Sequence, residues 1–169
     1  MSDTTLLKGK RVLVVDDEPD VLNVLEEILD MCEVTKASTF EEARDHLEKE
    51  DFDLAILDIM GVDGYKLLNI AKRRNITAVM LTAHALSPDN LEKSVKGGAD
   101  SYLPKEEMAN ITTFLIDILK SQKAGESAWV PWRKKLAASY FERKWGSEWK
   151  ERNQEFWDTF SEEKSSKAS

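Results

Sequence analysis

Five polar side chains stand where chemistry could be done: Asp16 and Asp17 in "RVLVVDDEPD", Asp58 closing "LAILD", Thr82 closing "AVMLT", and Lys105 just past "SYLP". Each follows a short apolar run, so each belongs at the end of a buried strand. Carboxylates gathered in one place repel one another and hold their protons more tightly unless a cation neutralises them. A hard divalent ion, most plausibly Mg²⁺, suits that task, because it binds through a few carboxylates, keeps several waters and accepts phosphate oxygens. A carboxylate beside such an ion can attack phosphorus and form an acyl phosphate. An ammonium such as that of Lys105 would then offset charge on the transferring group.

These groups need a scaffold that brings distant strand ends together. The apolar runs are "RVLVV" (Arg11 to Val15), "EVTKAS" (Glu33 to Ser38), "LAILD" (Leu54 to Asp58), "AVMLT" (Ala78 to Thr82) and "SYL" (Ser101 to Leu103). Between them lie segments of helical period. Val21, Leu22, Leu25, Ile28 and Leu29 share one face of a helix opened by Pro19, and Met108, Ile111, Leu115 and Ile118 repeat the pattern. Strands alternating with helices predict an α/β fold: a parallel, doubly wound sheet covered on both faces, joined by right-handed crossovers. In such a sheet ligands sit outside the carboxyl ends of the strands, which is where the five side chains fall.

The chain over roughly residues 9 to 120 resembles a response-regulator receiver domain, the phospho-acceptor module of two-component signalling. The resemblance rests on "VVDDEPD" for the acidic pair, "LAILDI" for the acceptor strand, "LTAHA" for the switch threonine and "GADSYLPK" for the lysine and the aromatic before it. It implies a (βα)5 flavodoxin-like sheet in the order 2-1-3-4-5. It makes Asp58 the residue phosphorylated by a partner histidine kinase, with Asp16, Asp17, Asp58 and the carbonyl of Met60 holding Mg²⁺. Lys105 would pair with the acceptor carboxylate, while Thr82 and Tyr102 would act as the switch pair. Met60 and His84 occupy the two positions that modulate phosphate lifetime. Such a protein is a switch rather than a turnover enzyme. The sequence departs from the family pattern in two places: "DIMGVDGY" predicts a shortened loop after Asp58 with no proline, and Pro104 precedes the lysine instead of following it.

Composition divides the chain. Up to Lys120 there are 14 Lys and Arg against 24 Asp and Glu; from Ser121 the balance is 10 against 8, and all five tryptophans lie there. The division suggests a receiver over residues 1–120, a linker over 121–128 and a C-terminal extension over 129–169. Trp129, Trp132, Leu136 and Tyr140 share one helical face, and Trp149, Phe156, Trp157 and Phe160 another. With Gly146 and Ser147 between them, a helical hairpin is predicted. An extension this small cannot build a large core alone, so its aromatics must pack on the receiver, on a second copy or on a partner protein.

A net charge of −8 opposes nucleic-acid binding by the molecule as a whole. Arg133, Lys134, Lys135, Arg143 and Lys144, interleaved with aromatics, keep a DNA-binding regulator as one alternative; a phosphate-independent receiver-like scaffold is another. Cys32 is the only cysteine, which excludes an intrachain disulfide, and no apolar run marks a membrane span. A reduced, cytoplasmic protein is expected.

Overall fold

The computed structural model describes residues 3–82, 88–129 and 131–132. Five strands, β1 (Arg11–Val15), β2 (Glu33–Ala37), β3 (Leu54–Asp58), β4 (Thr77–Thr82) and β5 (Ser101–Pro104), pair in parallel in the order β2-β1-β3-β4-β5. The helices α1 (Pro19–Ile28), α2 (Phe40–Lys49), α3 (Gly64–Arg73), α4 (Pro88–Lys96) and α5 (Ile111–Ala124) alternate with them. This is the doubly wound sheet that the alternating pattern and the receiver resemblance predict. The helical hairpin expected beyond Trp132 lies outside the described residues.

Local chemistry explains the element ends. Pro19 opens α1, where its missing N–H removes a donor that has no intrahelical acceptor anyway. At α2, Thr39 is the N-cap: its hydroxyl oxygen accepts a hydrogen bond from the Glu42 N–H at 3.2 Å, and the hydroxyl donates to the Glu42 carboxylate. Thr39→Ala is therefore expected to cost about 1 kcal/mol, read as a lower urea midpoint with an unchanged slope. The last helix begins later than the apolar period suggests: Met108 lies in a 3₁₀ turn over Lys105–Asn110, and the α-helix starts at Ile111. It continues through Ser121–Ala124. Gly125 (φ 71°) then donates to Gln122 O while Glu126 N–H reaches Ser121 O at 2.8 Å, the pair of bonds that closes a helix and reverses the chain.

The core is one cluster running through both faces of the sheet. Every residue of β3 is buried, as a central parallel strand with helices on either side requires. Leu25, Leu29, Leu47, Leu67, Ala71, Leu91, Ile111, Leu115 and Ile118 supply the helical side of that core. Cys32 is half-buried and points its thiol at Leu7 O, and His46 pairs with Glu50 on α2. Among the described residues no helix is long and apolar enough to cross a membrane.

The two edges of the sheet differ. β2 is half-exposed and carries Glu33 and Lys36, charges that discourage pairing with another strand. β5 is buried along its whole length. Two residues of the tail account for this: Trp129 and Trp132 are 3% and 1% exposed and meet edge to face, with ring centroids 4.9 Å apart. Of the three locations open to the tail aromatics, these two pack on the receiver.

Candidate functional site

The site is built at the carboxyl ends of β1, β3 and β5. Asp16 directly follows β1, Asp58 is the last residue of β3, and Lys105 directly follows β5. Strand register brings them together: Val15 lies beside Leu57, and Asp58 lies beside Leu81. Asp16 is fully buried and Asp58 is 3% exposed. The Lys105 ammonium reaches in to bind both, 2.7 Å from Asp16 Oδ2 and 3.6 Å from Asp58 Oδ1, and also lies 3.2 Å from Glu18 Oε1. One cation thus serves three carboxylates.

Burial and crowding set the protonation of these groups. Loss of water, reinforced by the charges of Asp16 and Asp17, pushes the Asp58 carboxyl up to about 7 against the pull of Lys105. Burial also raises Asp16, against the Lys105 ammonium and the Glu18 N–H that bonds its Oδ1 at 2.9 Å. Burial works to lower Lys105, but hydrogen bonding to Asp16 and the charges of Asp58 and Asp16 carry it above its ordinary value. Lys105 therefore stays charged throughout the range in which Asp58 titrates.

The remaining acids form the outer part of the site. Asp17 and Glu18 are exposed, and with Asp16 they place carboxylate oxygens within 4.8 Å of one another. This all-oxygen set is of the kind a hard divalent cation takes. Asp16 Oδ2 is buried with the Lys105 ammonium 2.7 Å away, so a cation already faces this oxygen. Asp58 is not one of these three; it faces the cluster across Lys105, whose ammonium lies 3.6 Å from Asp58 Oδ1.

The loop between β3 and α3 is tight, spanning only residues 59–63. Ile59 N–H bonds Leu81 O, and Gly64 N–H bonds back to Ile59 O. Gly61 has φ +83°, and a Cβ there would strike the Asp17 carboxylate at 2.7–2.9 Å. The left-handed backbone disfavours a side chain there, and one would also displace the exposed Asp17 carboxylate. At Gly64 a Cβ would lie 2.2 Å from Asp58 O, so the start of α3 presses directly on the Asp58 peptide. Met60 points outward, 64% exposed.

Thr82 and Tyr102 are both buried, at the end of β4 and within β5. His84, expected beside the site, lies outside the described residues. Two contributors escaped the sequence reading. Glu18, the third acid of "DDEPD", is not marked by the strand-end pattern that singles out Asp16 and Asp17, although it lies beside them in the sequence. The glycine spacing of "MGVDG" marked a shortened loop but not its two close approaches to Asp17 and Asp58.

The family model for the response regulator receiver domain matches residues 12–115. Among curated proteins, the Arabidopsis thaliana two-component response regulator ARR18 is 39% identical over 113 residues, which is 61% of this chain and 18% of that protein. The heme response regulator HssR of Staphylococcus aureus is 37% identical over 98 residues, 55% of this chain and 43% of that protein. This chain therefore spans less than half of either relative. Among solved structures, a receiver domain protein from Methanospirillum hungatei superposes with a TM-score of 0.58 at 28% identity, covering 68% of this chain and 99% of that one. A response regulator from Chloroflexus aurantiacus gives 0.59 at 29%, covering 67% and 99%. Since the receiver model takes in more than half of the residues and its strand ends carry the acid and lysine groups just described, this chain belongs to the response regulator receiver family of two-component signalling.

Proposed function

We propose that this protein is a response regulator whose receiver accepts a phosphoryl group on Asp58 from the phosphohistidine of a partner kinase. The observation that carries the reading is Lys105, an ammonium held between buried Asp16 and Asp58 at the mouth of the sheet. In the transfer, Asp58 Oδ attacks phosphorus, the bond from phosphorus to the donor nitrogen breaks, and the imidazole leaves with the electron pair. Lys105 is placed to balance the charge arriving on Asp58. Asp16, Asp17 and Asp58, with the Met60 carbonyl and Glu18 nearby, would hold Mg²⁺, which when bound supplies positive charge to the phosphoryl oxygens. Thr82, at the next strand end, is placed to meet the phosphoryl group, with Tyr102 responding on β5.

The output is a change in protein contacts, made in solution in the cytoplasm, with no turnover of a further substrate. Because α5 runs through Ala124, into the segment expected to be a linker over 121–128, the organisation we propose is a receiver extending to Ala124 and an extension over 129–169. Incubation with acetyl phosphate and Mg²⁺ is expected to add one hydroxylamine-labile phosphoryl group per chain. An unmodified chain that also fails to bind Mg²⁺ in calorimetry would favour a phosphate-independent scaffold instead.

A further inference from the structure

β5 carries two kinds of residue that bear on different parts of the molecule. Its C-terminal end leads directly into Lys105, the cation of the Asp58 site. Its N-terminal end is gripped from outside: Trp129 Nε1–H donates at 3.1 Å to Ala99 O, two residues before the strand, and Trp132 Nε1–H donates at 2.8 Å to Tyr102 O within it. Both indoles are buried, and both bonds go to backbone, so they read the position of the strand rather than the identity of a side chain. Between Tyr102 and Lys105 the chain passes through Leu103 and Pro104, the latter fixed at φ −72° and still paired with Thr82 on β4. A proline at that point leaves little slack in the link. Among the described residues the opposite edge, β2, is half-exposed.

The turn that delivers the tryptophans is itself well defined. After Gly125 reverses the chain, Trp129 N–H bonds Ser127 Oγ and Trp132 N–H bonds Ala128 O, one helical turn that sets the two rings edge to face. The edge of β5 is thereby filled by a segment of the same chain, joined to a tail that is richer in cationic residues than the receiver.

From this arrangement we infer that the β5 edge is a docking surface for the chain's own Ser127–Trp132 segment, and that docking is coupled to the Asp58 site through Lys105. Negative charge added on Asp58 draws Lys105 away from Asp16 and Glu18, shifts the strand that leads into it and loosens the two indole bonds. The coupling is reciprocal: a charge that releases the segment must itself bind more tightly once the segment is released. The direction on phosphorylation rests on Asp58 being the phosphoryl acceptor; the coupling itself rests on geometry.

The test uses the full chain and hydrogen–deuterium exchange of the β5 amides, with the β2 amides of the same molecule as the reference for global stability. Beryllofluoride with Mg²⁺, an acyl-phosphate mimic, is expected to speed β5 exchange about fivefold or more relative to β2. Asp58→Asn, which removes charge, is expected to slow it relative to β2. In a chain bearing W145F, W149F and W157F, acrylamide quenching of the remaining Trp129 and Trp132 should rise with beryllofluoride. Trp132→Phe, which keeps a ring but loses the N–H, should bind beryllofluoride about fivefold more tightly. If beryllofluoride does not bind at all, the phosphoryl-acceptor reading fails, and the comparison of Asp58→Asn with wild type still decides the coupling. β5 exchange that follows β2 in every state would overturn the inference.

Discussion

Gly64→Ala should lower the melting temperature of this protein by about 6 to 12 °C, the equivalent of about 3 kcal/mol for a chain of this size. The added methyl would lie 2.2 Å from Asp58 O and 2.8 Å from Ile59 Cα. Both neighbours are backbone, so no side chain can swing aside. Relief requires moving either the start of α3 or the end of β3, and β3 is held by β1 on one side and β4 on the other. The same displacement would move Asp58 relative to Lys105, so loss of stability and loss of the ion-pair geometry should appear together. A variant that melts within a degree or two of wild type would show that the β3–α3 loop has room that its tight spacing denies.

Asp58→Asn should make the protein more stable, and only above mildly acidic pH. Asp58 titrates near 7 in the fold against 3.8 for an ordinary aspartate. Because the folded value is the higher one, its favourable contribution is complete below about pH 4 and is lost as pH rises through 7. At pH 8 the wild type therefore keeps a buried charge that the unfolded chain would hydrate freely. Replacing it with the neutral isostere should gain about 2 to 4 kcal/mol, following the size of the shift. The gain should shrink to near zero by pH 4. Urea unfolding with EDTA present, at pH 4, 6 and 8, checks it. A gain that is constant with pH, or a loss at pH 8, would mean that Lys105 compensates Asp58 fully.

Much of this was legible because parallel strands buried on both faces read as unbroken apolar runs. "RVLVV" and "LAILD" matched β1 and β3 residue for residue, since each run is bounded by charge. β4 gained Thr77 and β5 gained Pro104, residues whose apolarity or ring does not announce a strand. Met108 fell outside the last helix because Lys105–Asn110 must first turn the chain away from the site. Asp16, Asp58 and Lys105 were legible as a site because each follows directly on an apolar run. The distances among them were not, since they depend on strand order, which came from family resemblance and not from periodicity. Least legible was the fate of Trp129 and Trp132: an aromatic stripe declares that it must be covered, but the hydrogen bonds from their indoles to Ala99 and Tyr102 depend on how Gly125 redirects the chain.

Intact mass after treatment with acetyl phosphate and Mg²⁺, on wild type and Asp58→Asn side by side, decides whether Asp58 accepts the phosphoryl group. Wild type should gain one phosphoryl group, carried by the tryptic peptide running from Glu50 to Lys66, and Asp58→Asn none. A group of equal yield on both chains would place the modification elsewhere and contradict Asp58 as the acceptor.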